Sequence, residues 1–286
     1  MADYDYVLRG GTLYDGSGEA PFVGDLGISG DRIAAIGAPG TLSGKTTLDV
    51  DGLAVAPGFI NMLSWAGETL IQDGRGQSDI RQGVTLEIMG EGSSMGPLSD
   101  AMKAKAATDI SHGVIHYDIE WTTLGEYLEY LERRGVSCNV ASFVGSSTLR
   151  VHAIGYDNRP PSAAELQKMR ELTAQAMEEG AVGLSTALIY PPASFASTEE
   201  IIELAKVVSR YKGMYISHIR SEGRAIFEAL DEFFRIAREA DVRSEIYHLK
   251  LSGRSNWDKL DEVIRRIEAA RSAGLEISAN MYTYPA

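Results

Sequence analysis

Short apolar runs recur along most of this chain at intervals close to 30 residues, and that spacing restricts the folds open to it. Runs starting at Ala181, Met214, Glu245 and Glu276 lie 33, 31 and 31 residues apart. Each interval holds one amphipathic helix and its turns, the length that a right-handed strand-helix-strand crossover requires. The full set of expected strands is Val55–Ile60, Val84–Met89, Asn139–Val144, Ala181–Thr186, Met214–His218, Glu245–Leu249 and Glu276–Met281. Between them, Ser162 with Glu165 and Ser197 with Glu200 have the spacing of capping boxes at helix starts. Leu166, Met169, Leu172, Ala176 and Met177 form one helical face ahead of Gly180. Ile201, Ala205 and Val208 do so ahead of Gly213, and Leu260, Val263, Ile264, Ile267 and Ala270 ahead of Gly274. The pattern predicts an α/β chain, a (β/α)8 TIM-type barrel over residues 56–286 with seven of its eight strands.

The first 55 residues have no helical period. Val7-Leu8-Arg9 runs into Gly10-Gly11, and Thr12-Leu13-Tyr14 runs into Asp15-Gly16. Leu26–Ser29 and Arg32–Ile36 flank Gly30-Asp31, a two-residue turn suited to a hairpin. These segments predict a small β unit over residues 1–55. In the barrel, an absent eighth strand would leave two edges of unpaired backbone groups. The expectation is that the chain is a fragment, that another chain supplies the closing strand, or that the fold is an open variant.

Composition narrows the partners. Of 286 residues, 27 are Lys or Arg and 40 are Asp or Glu, a net charge of −13 that repels phosphate backbones and anionic membrane surfaces. Nucleic acid and membrane are therefore not expected partners. Cys138 is the only cysteine, which excludes an internal disulfide and a cysteine-cluster zinc site. The first residues have neither the basic segment nor the apolar run of a signal peptide, and no run of 18 uncharged apolar residues occurs. A cytoplasmic globular protein is expected.

In a barrel of this kind the chemistry sits at the C-terminal ends of the strands. Those places hold Leu63, Ser64 and Trp65 after the first strand, Glu91 after the second and Tyr190 after the fourth. His218 ends the fifth, His248 the sixth, and Tyr282 and Tyr284 the seventh. Two of five histidines thus fall at consecutive strand ends, where both imidazoles can face one mouth. With Glu91 they make a sufficient set for one zinc-like ion with an open position for water. Bland readings stand beside this one: a strand-end histidine can bond within its loop, and Gly90-Glu91-Gly92 suits a plain turn. His112, His116 and His152 read as residues of connecting segments. Arg220, Glu222 and Lys250 could orient ligands or bind a carboxylate, or form salt bridges at the mouth. Tyr190 either lines a pocket or packs its loop.

Several segments carry a family resemblance. They are Leu13-Tyr14-Asp15-Gly16-Ser17-Gly18, Gly30-Asp31-Arg32-Ile33-Ala34-Ala35-Ile36-Gly37, Ala56-Pro57-Gly58-Phe59-Ile60-Asn61 and Gln82-Gly83-Val84-Thr85. Further along come Gly183-Leu184-Ser185-Thr186, Leu188-Ile189-Tyr190, Pro192–Glu200, Ser217-His218-Ile219-Arg220-Ser221-Glu222 and His248-Leu249-Lys250. Across essentially its whole length the chain resembles the N-terminal part of the N-acyl-D-amino-acid deacylases (D-aminoacylases) of the amidohydrolase superfamily. The resemblance implies a β-sandwich, of which residues 1–55 are one half, attached to a metal-dependent barrel that hydrolyses an amide with a metal-activated water. It places His218 and His248 at the positions of two metal ligands, and Tyr190 and Arg220 in segments that shape the substrate site. Where the family carries a His-x-His pair, this chain has Leu63 and Trp65, neither of which binds zinc. Glu91 stands at or beside the place of the family's strand-two cysteine ligand. The family's acid/base aspartate ends strand eight, so it is expected beyond Ala286.

Two function classes follow. The first is an amidohydrolase holding one zinc on Glu91, His218 and His248, with Tyr190, Arg220, Lys250, Tyr282 and Trp65 facing a small-molecule amide such as an N-acyl amino acid. The second is a non-catalytic ligand-binding protein on a decayed amidohydrolase scaffold, in which Trp65 stacks on the ligand. A complementary C-terminal chain or a homo-oligomer is compatible with either.

Overall fold

The structure, a computed structural model, describes residues 3–284; Met1, Ala2, Pro285 and Ala286 lie outside the described residues. The chain divides into two compact units, Met1–Phe59 and Ile60–Ala286.

In the first unit, β1 (Tyr4–Leu13), β2 (Phe22–Ser29), β3 (Arg32–Gly37) and β4 (Gly44–Asp49) lie in the order β3-β2-β1-β4, and β5 (Ala54–Val55) also pairs with β1. β2 is antiparallel to β1 and β3, whereas β4 and β5 run parallel to β1. The hairpin at Gly30-Asp31 closes with Ser29 opposite Arg32. Gly10-Gly11, expected to end a strand, instead interrupts the register of one long strand between Leu8 and Gly11. Gly10 adopts φ +75°, open to glycine without steric cost, and its N–H donates to Asp25 Oδ1 at 3.0 Å. Burial pushes the Asp25 carboxyl up, but backbone N–H groups from Leu42, Gly40 and Gly10 hold it below its ordinary value.

The second unit is α/β. Its strands are β6 (Phe59–Ser64), β7 (Val84–Met89), β8 (Asn139–Ser142), β9 (Val144–Gly145), β10 (Gly183–Ala187), β11 (Met214–His218), β12 (Arg243–Ile246) and β13 (Ile277–Ala279). They form the runs β6-β7-β8 and β9-β10-β11-β12-β13. β7 is parallel to β8, and β9 to β13 are parallel throughout. Only Phe143 separates β8 from β9; its N–H bonds Met89 O, and Val182 N–H bonds Ser142 O, so hydrogen bonding passes from one run to the other. Successive residues feed opposite faces, as a strand's period of two requires. Ile88, Phe143, Ile216 and Tyr247 form one buried cluster, while their neighbours Met89, Val144, Tyr215 and Ile246 belong to the larger core under the helices. A parallel sheet covered on both faces accounts for the nearly continuous apolar runs in the sequence.

The strand limits correct several expectations. Val55–Ile60 is not one strand: Ala54–Val55 belongs to β1's sheet, and a new strand starts at Phe59. Glu245–Leu249 ends at Ile246, which leaves His248 two residues past the strand, and Glu276–Met281 shrinks to Ile277–Ala279, so Tyr282 follows the strand instead of ending it. Helix Ala163–Glu178 has both arms of the Ser162/Glu165 capping box and buries Met169, Leu172, Ala176 and Met177. In helix Leu260–Ser272, Val263, Ile267 and Ala270 are buried, but Leu260 and Ile264 of the expected face are exposed.

Ser197 caps helix Thr198–Arg210 by accepting from Glu200 N–H, yet Glu200 does not complete the box. Its carboxylate pairs instead with Arg150, with both side chains no more than 3% exposed and Nη1 at 2.6 and 2.8 Å from the two oxygens. Arg150 Nη2 also donates to the carbonyls of Asp157 and Arg159, tying that loop to the pair. Removing one partner strands a buried charge, so Glu200→Ala is expected to lower the stability of this unit by about 3–5 kcal/mol. Urea unfolding measures this, and a loss under about 1 kcal/mol, the range of exposed pairs, would contradict it.

Candidate metal centre

The sequence placed three potential ligands on separate strand ends, and the structure brings them together. One ligand atom from each of Glu91, His218 and His248 lies within 4.8 Å of the others. Glu91 Oε1 is 3.0 Å from His218 Nδ1 and 3.2 Å from His248 Nε2. All three side chains are less than a tenth exposed.

Each is fixed by its backbone. Glu91 stands between Gly90 at φ +102° and Gly92 at φ +64°, and neither position has room for a side chain. A Cβ on Gly90 would lie 2.5 Å from Phe143 O, and one on Gly92 2.5 Å from Ala187 Cβ. Ser185 Oγ, reaching across from β10, accepts from Gly92 N–H at 3.1 Å and donates to Gly90 O. The two glycines therefore do more than make a turn: they let the chain approach β9 and β10 closely enough to turn Glu91 inward. His218 ends β11, opposite Ala187 of β10. His248 has φ +36°, a left-handed conformation that costs a non-glycine residue roughly 1–3 kcal/mol unless its surroundings impose it. Asn280 does so: its Oδ1 accepts His248 N–H at 2.6 Å and its carbonyl accepts Leu249 N–H at 2.9 Å. Glu245 Oε1 accepts from Asn280 Nδ2 at 2.7 Å and so orients that amide.

Electrostatics follow from these contacts. Burial pushes the Glu91 carboxyl up, but the hydrogen bonds and charge of His218 and His248 bring it down to about 2. Burial also disfavours charge on His248, and hydrogen bonds to Glu222 and Glu91 outweigh it, raising the imidazole to about 9.

Glu222 joins the cluster from its far side, although sequence reasoning offered it only a place at the mouth. Its Oε1 lies 3.1 Å from His248 Nδ1 and 3.4 Å from His218 Nε2, and Lys250 Nζ donates to it. The His218 contact is electrostatic, since that nitrogen has no aligned hydrogen-bond partner. The available signal was position: Glu222 lies four residues after His218, in the segment that closes on Lys250.

The other expected site residues divide. Tyr190 packs edge-on against His218, with ring centroids 5.3 Å apart, and Tyr282 lies 5.9 Å from the His248 ring with Lys250 Nζ above its face. Arg220 engages four of its five N–H groups internally, on Glu232 and on the carbonyls of Ser194 and Ala196. It braces the loop carrying Tyr190. Leu63 packs against the inner cluster of Ile88, Phe143, Ile216 and Tyr247, and Trp65 is 73% exposed. Among the described residues no helix is long and apolar enough to cross a membrane.

Comparison with known proteins gives consistent relatives. The chain is 40% identical over 284 residues to D-aminoacylase of Alcaligenes xylosoxydans xylosoxydans, which covers 99% of this chain and 58% of that protein. A solved N-acyl-D-glutamate deacylase from Bordetella bronchiseptica, bound to zinc and a phosphonate mimic of the tetrahedral intermediate, superposes with a TM-score of 0.87. It is 31% identical and the match covers 99% of this chain and 59% of that one. A D-aminoacylase structure described as having a binuclear metal centre, with one-metal activation and second-metal attenuation, gives a TM-score of 0.86 at 37% identity, covering 98% and 59%. No family model matches. The chain thus spans somewhat under three-fifths of the length of these relatives.

The Asn280 contact can be tested. Asn280→Ala removes the acceptor of a half-buried N–H in a left-handed turn, and a loss of about 1–3 kcal/mol is expected on urea unfolding. A variant as stable as the parent would show that the His248 turn holds without it.

Proposed function

We propose, from the premise that this chain belongs to the N-acyl-D-amino-acid deacylase (D-aminoacylase) family, that it carries the metal-binding part of a zinc-dependent amidohydrolase. The observation that carries the proposal is the convergence of Glu91, His218 and His248. Two imidazole nitrogens and a carboxylate oxygen suit zinc, and three protein ligands with a position to spare are the pattern of catalytic sites. One ion per chain is the reading that fits Leu63 and Trp65, since neither offers a donor for a second. An ion there supplies Lewis acidity to a carbonyl and lowers the pKa of water.

The remaining residues act on the substrate side. Tyr190 and Tyr282 flank the two imidazoles and would hold an N-acyl amino acid; Lys250, expected to face the substrate, is paired with Glu222 on the side of the histidines away from Glu91. Arg220 serves by fixing the Tyr190 loop. Trp65, exposed beyond β6, is available to an apolar group of the substrate. The strands β6 to β13 are read as staves of a barrel, and the first unit as part of a β-sandwich. Hydrolysis of a small-molecule amide, in the cytoplasm, is assigned to this chain together with a C-terminal part or partner chain that supplies the acid/base group.

Plasma mass spectrometry on protein purified without chelators or a histidine tag tests the reading. One zinc-like ion per chain is expected, with stoichiometric loss in His218→Ala and in His248→Ala. A metal-free native chain would overturn it in favour of a non-catalytic ligand-binding protein, in which Trp65 and the tyrosines contact the ligand.

A further inference from the structure

We infer that Glu222 is a positioning residue for the metal site, presenting one chosen nitrogen of each imidazole to the ion. The inference rests on reading Glu91, His218 and His248 as that site. The two histidines lie between two carboxylates and use opposite nitrogens on each side. Towards Glu91 they turn His218 Nδ1 and His248 Nε2; towards Glu222 they turn His218 Nε2 and His248 Nδ1. The rings stand nearly perpendicular, 84° between planes with centroids 4.4 Å apart, so one carboxylate oxygen can reach both from the far side.

A neutral imidazole carries its proton on the nitrogen that does not bind the metal, and a carboxylate accepting that proton fixes both the tautomer and the ring orientation. Glu222 Oε1 lies 3.1 Å from His248 Nδ1 and 3.4 Å from His218 Nε2, within reach of both protons once an ion takes the opposite nitrogens. Glu222 is itself held in position. Lys250 Nζ donates to Oε1, Ser252 Oγ approaches Oε2 at 3.4 Å, and Ser252 N–H donates to the Glu222 carbonyl at 2.7 Å. Lys250 also fills the Glu222 side of the two rings, its Nζ 3.0 Å from His248 Nδ1; an ammonium only donates, so on this inference it turns wholly to Glu222 once Nδ1 carries its proton. The far face of the histidine pair thus holds a protein ammonium, and the near face is left to a single divalent ion.

Zinc affinity by chelator competition on the 1–286 chain tests this, with the absorption spectrum of the cobalt(II) form as a second readout. Glu222→Gln should weaken zinc binding by about 10–100-fold while one ion is still bound at saturation, and should change the cobalt(II) spectrum. Glu222→Asp, which keeps the charge but withdraws it by a methylene, should fall between, and its melting temperature without metal shows that folding is intact. Parental affinity and spectrum in Glu222→Gln would overturn the inference. So would recovery of parental affinity in Glu222→Gln/Lys250→Met, because Glu222 would then serve only to neutralise Lys250. If the parent chain binds no zinc, the metal reading itself fails. If it binds zinc through His218 and His248 but is indifferent to Glu222, only the present inference falls.

Discussion

The cost of burying Glu91 governs the design of the second unit. An unpaired carboxylate in an apolar interior would be neutralised or would destabilise the fold. Here two imidazoles, one at the end of β11 and one in the loop after β12, meet one of its oxygens and keep it ionised. That solution works only if three separate chain segments arrive at hydrogen-bonding distance, 3.0 and 3.2 Å from Glu91 Oε1. Gly90 and Gly92 bring the Glu91 turn against its neighbours, Ser185 ties both glycines to β10, and Asn280 imposes a left-handed conformation on His248. The local strain at His248 and the bare glycine backbone are consequences of that single requirement.

The sheet beneath provides the rigidity. Alternate residues of β7, β11 and the segments around Phe143 and Tyr247 enter two different apolar clusters, so a strand cannot slip by one residue without exchanging its core side chains for its inner ones. The strand ends inherit this register, and the cluster is built on them. Arg220 extends the same economy outward: its bonds to Glu232, Ser194 and Ala196 anchor the loop that sets Tyr190 against His218.

How much of this could be read beforehand depended on whether a residue's role was local. β7 and β11 matched expectation to the residue because Gly83 and Gly90 bound one run and Gly213 precedes the other. The strand through Glu245 stops at Ile246, although the apolar pattern of Tyr247-His248-Leu249 predicts that it continues, because the bond that turns it comes from Asn280, 32 residues from His248. Glu200 fitted a capping box locally and was claimed by Arg150, 50 residues distant. Glu222 was visible in the sequence as a charge near a histidine, but its contact with both rings depends on the fold of two loops. The three proposed ligands were legible because parallel strands set their C-terminal ends side by side; their supports were not, because those are hydrogen bonds between segments far apart in sequence.

Charge explains why the proposed site suits a single ion. Without metal, Glu91 and Glu222 bring two negative charges and Lys250 one positive, all within a few ångströms of the histidines. The side facing Glu222 is already neutralised by a tethered ammonium. On the other side Glu91 is held ionised by the two imidazoles, and a divalent cation that displaces their protons meets its charge there. A second divalent ion would have to displace Lys250 or find donors at Leu63 and Trp65, of which the first is packed among apolar side chains and the second offers no lone pair. A carboxylate at Glu91 gives the ligand set a hard oxygen donor with one unit of negative charge. On the proposed reading, the departures from the family pattern therefore act in concert, each favouring one ion bound on the Glu91 face of the histidine pair.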